Sequence, residues 1–216
     1  MRTLFLVALF CNILVSSCYT NKINEVALGD HYKYTFELEN EHSSQMDFED
    51  STIRVSFDIT DKSIRFILIN KAGESIEISW NDATIALSEK PNPVIHNGIK
   101  YNNRFDSMRP TILAAGDTIK ESVIPAFKVY QNTTHMHDFY GSHTYAEGPW
   151  KVADLLISWD YKDEKARKAI HQLVGSKIEL VLPIGGTNNK EFGYRFSFKV
   201  KGVQCITCKG DTAQPR

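Results

Sequence analysis

Residues 53–68 read IRVSFDITDKSIRFIL, and this stretch decides the fold. Ile53, Val55, Phe57 and Ile59 alternate with Arg54, Ser56 and Asp58. A period of two puts the apolar side chains on one face of an extended strand. Thr60-Asp61-Lys62-Ser63 is turn chemistry, and Ile64, Phe66 and Leu68 then resume the alternation. Asn70-Lys71-Ala72-Gly73 marks a second turn, after which Ile76, Ile78 and Trp80 alternate with Glu77 and Ser79. The spacing predicts a meander of three antiparallel strands with one wet face.

The same pattern extends outward in both directions. Upstream, Tyr32, Tyr34, Phe36 and Leu38 alternate with Lys33, Thr35 and Glu37, and the acidic stretch 39–51 reads as a solvated connection. Downstream, short strands are expected at Thr84–Leu87 and Val94–His96, broken by Pro91 and Pro93. Ala114-Ala115-Gly116-Asp117 reads as a turn into a strand near 118–123, which Pro125 ends or pushes to an edge. Residues 130–149 hold no usable periodicity and read as the longest loop. The apolar run from Trp150 to Trp159 reads as a buried strand. Ile178, Leu180 and Leu182 begin another strand, and Gly185-Gly186-Thr187-Asn188-Asn189 reads as a hairpin loop. It leads into Phe192, Tyr194, Phe196, Phe198 and Val200, the cleanest alternation in the chain.

One amphipathic helix interrupts the strands at 163–174. Ala166, Ala169, Ile170, Leu173 and Val174 share a face, with Asp163 as N-cap and Gly175 as the stop. A single helix excludes the repeated βαβ units of a parallel sheet. The fold expected is all-β: a two-sheet antiparallel sandwich of immunoglobulin-like architecture with one short helix.

The first eighteen residues speak to location. Arg2 precedes an apolar run, Leu4 to Val15, that is too short for a permanent membrane span. Val15-Ser16-Ser17-Cys18 resembles a bacterial lipobox, in which the cysteine becomes the lipidated first residue. An ordinary signal peptide cut near Cys18 is the alternative. The domain plan is a signal peptide at 1–17, a tether at 18–30, a β domain at 31–203 and a polar tail with a CxxC at 204–216. The expected location is the bacterial cell envelope, with membrane attachment through Cys18. The 25 basic and 26 acidic residues give a net charge of −1, which argues against a nucleic-acid partner.

FILINKAGESIEISW (66–80), PVIHNGIKY (93–101), PTILAAGDTI (110–119), GSKIELVLPI (175–184) and EFGYRFSFKV (191–200) together resemble a family of uncharacterised bacterial lipoproteins and exported proteins. The resemblance spans roughly residues 52–202. It implies an envelope location and a sandwich-like all-β domain, and it implies no reaction.

Three sets of residues bear on chemistry. His135, His137 and His143 fall in one stretch and would suit zinc or copper if they converged, against the alternative of solvated histidines. Tyr140, Tyr145 and Trp150 offer aromatic surface for a sugar ring or a protein, unless Trp150 packs inward. Cys205 and Cys208 form a CxxC followed by a polar tail rather than a helix, so a local disulfide is expected rather than redox catalysis. No nucleophile elbow, phosphate loop or dinucleotide fingerprint is present. These observations point to a non-enzymatic, lipid-anchored protein without a cofactor that binds a protein or another envelope component. A carbohydrate-binding module, or a hydrolase, using the 130–150 loop is the alternative.

Overall fold

A computed structural model describes residues 29–39, 46–87, 90–137, 143–186 and 191–208, without the side chains of 133–137, 143–146 and 191–192. The expected signal peptide, Cys18, most of the expected tether, Tyr140 and the tail beyond Cys208 lie outside the described residues. No described helix is long and apolar enough to cross a membrane.

The described residues are mostly strand with one α-helix. The strands are β1 (Tyr32–Leu38), β2 (Asp47–Glu49), β3 (Ile53–Ile59), β4 (Ile64–Asn70), β5 (Ile76–Ile78), β6 (Thr84–Leu87) and β7 (Lys90–Ile95). They continue with β8 (Thr111–Leu113), β9 (Thr118–Pro125), β10 (Val129–His137), β11 (His143–Val152), β12 (Lys177–Gly186) and β13 (Glu191–Cys205). The helix, α1, spans Glu164–Gln172. The Asp163 side chain accepts from the Lys165 N–H as its N-cap, and Gly175 beyond its end adopts φ +90°.

The main sheet has eleven strands in the path β1-β13-β12-β6-β7-β9-β4-β3-β2, with β5 joined to β12 and β8 joined to β5. It curls until its ends almost meet. Phe48 of β2 lies edge-on to Phe196 of β13 at 5.4 Å, and the Tyr194 hydroxyl donates to Asp50 Oδ2 at 2.9 Å. Inside, Phe57 of β3 meets Phe196 and Phe198 of β13 at 4.7 and 4.9 Å. The pairing is thus one continuous, barrel-like path, not the two separately bonded sheets of the expected sandwich.

Four local expectations are corrected. The meander stops after two strands: β4 pairs with β3 and β9, while β5 crosses to β12 and β8. The buried Asn70 side chain explains the departure. Its Nδ2 donates to the carbonyls of Glu74, Leu113 and Ala114, so the turn gathers β8 instead of closing a hairpin. The expected loop 130–149 is largely a two-stranded arm, β10 with β11. The expected strand 150–159 begins as the last residues of β11, then runs irregularly from Ala153. Prolines 91 and 93 do not break β7, because they pair only with β6, and β9 bonds only Val94 and Ile95.

The helix covers one end of the sheet. Its Ile170 is buried against Tyr32, Tyr34 and Val200, in an apolar cluster separate from the main core. A bulge between Thr35 and Phe36, opposite Gly202, lets β1 serve both clusters.

Candidate functional site

An open groove of about 760 Å³ lies between the base of the β10–β11 arm, the segment 153–161 and Ala166 of α1. That volume is within the range of ligand sites. Its walls carry Tyr101, Tyr130, Trp150, Trp159 and Tyr161, together with Lys62, Lys128, Lys151 and Asp154. Tyr130 and Tyr161 remain 44% and 59% exposed, more than packing alone would leave such rings.

The irregular segment 153–161 is fixed by four bonds to three other parts of the chain. Ala153 N–H donates to the Lys128 carbonyl and Leu155 N–H to the Asp61 carbonyl. The Ser158 carbonyl accepts from Tyr32 N–H, and the Ile157 carbonyl accepts from the Tyr34 hydroxyl. Burial pushes the Tyr34 phenol up to about 12. The Lys128 ammonium donates to the Asp154 carbonyl at 2.7 Å, and burial holds it below the usual lysine range. The Asp154 carboxylate accepts from the Ser158 hydroxyl.

The corner at Trp159-Asp160-Tyr161 is anchored by a buried carboxylate. Asp160 Oδ1 accepts from the N–H groups of Asp30 and Lys162, and Oδ2 accepts from Arg167 of α1. Burial pushes the Asp160 carboxyl up, but these donors outweigh it and hold the group below the ordinary aspartate value. Tyr161 and Lys162 both take positive φ (+49° and +58°), a strained pair maintained by this network. Gly29 is required here: at φ +82° its added Cβ would lie 2.1 Å from Asp160 Oδ1. The Trp159 ring stacks on His31 at 4.5 Å, and His31 Nε2 lies 3.6 Å from Asp61 Oδ2.

The predicted residues are distributed as follows. Trp150 lines the groove while packing beside the Ile95, Ala126 and Val129 cluster, with the Arg104 guanidinium 4.8 Å from its ring centroid. Tyr145 pairs in backbone register with His135 on the arm, its side chain outside the description, and Tyr140 lies outside altogether. His137 and His143 are register partners at the arm's far end, and the three histidine side chains are not described. Cys205 and Cys208 form a disulfide whose loop returns to the domain's start: His31 N–H donates to Thr207 Oγ1 at 2.8 Å, and Ile206 N–H to the His31 carbonyl. The Asp30 carboxylate comes within 4.8 Å of both sulfurs, but sulfurs bonded to each other offer no thiolate to a metal.

A second, smaller hollow of about 310 Å³ is bordered by His96 and also touches Tyr101. His96 stacks on the buried Trp80 at 4.2 Å, and its Nδ1 lies 3.6 Å from Glu121 Oε1, too long for a hydrogen bond.

Sequence reasoning missed Tyr130, Trp159, Tyr161 and the three lysines. The signal available was Trp159-Asp160-Tyr161-Lys162, where aromatics flank an acid outside any alternation. No family model matches the chain, and comparison with curated proteins and with solved structures gives no match.

Proposed function

We propose that this chain is a non-enzymatic binding protein of the bacterial cell envelope, lipid-anchored through Cys18, whose aromatic groove receives a protein or another envelope component. The resemblance to uncharacterised bacterial lipoproteins supports the location, and the groove carries the binding role. Tyr130 and Tyr161 are exposed, Trp150 and Trp159 are half-buried, and the irregular wall is tied down, which gives a preorganised surface rather than a mobile loop. We read the opposed faces of the curled sheet as packed in the manner of an immunoglobulin-like sandwich, whatever the route of the hydrogen bonds.

The carbohydrate-binding alternative keeps its place because of Tyr130, Trp159 and Tyr161, which add ring surface beside Trp150. Palmitate labelling with and without globomycin tests the anchor, and normally processed but unlabelled protein would exclude lipidation. A photo-crosslinker at Tyr130 tests the groove. It should capture one defined envelope component, whereas a crosslinker at Lys90 should not. Equal, scattered capture from both positions would reject the groove as the binding surface.

A further inference from the structure

The charge in the groove is one-sided. Lys62 and Lys151 are exposed, and among the described residues neither has a carboxylate within ion-pair distance, nor does Lys128. Elsewhere on the surface some cations have a carboxylate partner, Lys71 with Glu49, Lys177 with Glu39 and Arg195 with Glu179, while others such as Lys90 stand alone among the described residues; the groove differs in gathering its lysines around aromatic rings. The groove's Asp154 carboxylate is already engaged by Ser158. Lys62 and Lys151 thus face the groove without an ion-pair partner among the described residues, beside a Lys128 already held on the Asp154 carbonyl, on a chain whose net charge is −1.

We propose that this groove binds an acidic saccharide, a run of uronic-acid rings. Tyr130, Trp159 and Tyr161 stack on the apolar C–H faces of the rings, and Lys62, Lys128 and Lys151 pair with their carboxylates. The inference rests on the groove being the binding surface. Flat rings suit pyranose faces, while point-charge ammonium groups on flexible stems suit carboxylates spaced along a chain. The His31 stack covers one face of Trp159 and fixes its plane, so the ring is presented with little entropy left to lose. An acidic peptide is the competing occupant. It would share the lysines but has no repeated ring faces to match the aromatics.

The test is calorimetric titration of the purified full-length protein with uronate tetramers (galacturonate, glucuronate, mannuronate), their methyl esters and poly-glutamate. At least one free-acid tetramer should bind and its ester should not. Raising salt from about 50 to about 500 mM should weaken binding several-fold, because Lys62 and Lys151 are solvent-facing. Tyr130→Ala, and Lys62→Gln combined with Lys151→Gln, should each weaken it about tenfold, with Lys90→Gln unchanged. Equal binding of acid and ester would overturn the charge assignment, and binding of poly-glutamate alone would overturn the saccharide. If every saccharide fails while the Tyr130 crosslinker still captures a component, the saccharide proposal falls and the groove reading stands. If the crosslinker fails too, both fall.

Discussion

Arg167 donates from both Nε and Nη2, at 3.0 and 2.8 Å, to a single oxygen of Asp160. That oxygen is buried at the corner that presents Trp159 and Tyr161, so the helix and the groove wall share one bond pair. Asp160→Ala would leave the Asp30 and Lys162 N–H groups without their acceptor and should cost about 2–4 kcal/mol. Urea melts against pH give the check. A carboxyl held below its ordinary value contributes above the unfolded pKa, about 3.9, and loses that contribution as pH falls through the folded value. The gap between wild type and variant should therefore be constant from pH 7 to about 5 and narrow only below about 4. A gap already closed at pH 6 would count against the carboxylate.

Tyr34→Phe removes only the hydroxyl that donates to the Ile157 carbonyl. It should cost about 1 kcal/mol and loosen the segment 153–161, seen as faster amide exchange there. Because burial raises the phenol to about 12, its contribution is full below pH 10 and is lost as pH rises through 12. The difference in phenolate absorbance between wild type and variant should show one tyrosine ionising late. An ordinary midpoint near 10 would contradict the burial.

Asn70 donates to three carbonyls and accepts from Ala72 N–H at 2.9 Å. Asn70→Ala should destabilise by about 2–3 kcal/mol in thermal or chemical unfolding. Asn70→Asp should be worse at neutral pH, since a carboxylate would face three carbonyl oxygens, and should recover partly in acid as it gains a proton. Equal stability of the two variants across pH would show that the carbonyls move away.

The Cys205–Cys208 loop is short, so its chain-entropy contribution is about 2 kcal/mol at most. Cys205→Ser with Cys208→Ser should lower the melting temperature by a few degrees and raise amide exchange at His31 and Ile206, which the loop holds. Unchanged exchange at those two positions would show that the contacts around Thr207 suffice without the bond.

Legibility followed the availability of one dry face. In β3, β4 and the 194–200 stretch of β13 every second residue turns inward, so alternation alone located them. The helix announced itself through Asp163, Ile170 and Gly175. The β10–β11 arm did not; among its described side chains, those that pack on an apolar cluster lie at its base, at Val129, Trp150 and Val152. The run 150–159 misled because Leu155 is buried from an irregular backbone while Ile157 remains 48% exposed, so hydrophobicity and strand geometry part company. Long-range pairing was also out of reach: nothing local tells β12 that its first half meets β6 and its second half meets β5. Of the groove, sequence offered Trp150 alone. The rest depends on the burial of Asp160 and on segments far apart in the chain.

The two terminal strands of the main sheet are poor templates for another molecule. β2 is three residues long with Asp47 and Glu49 at its ends, and the start of β1 is already occupied by the Ser158 carbonyl and a bridge from His31 to Trp159. A second copy approaching from either side meets negative charge or a satisfied backbone. Strand-to-strand growth from this sheet is thus disfavoured at β2 and at the start of β1.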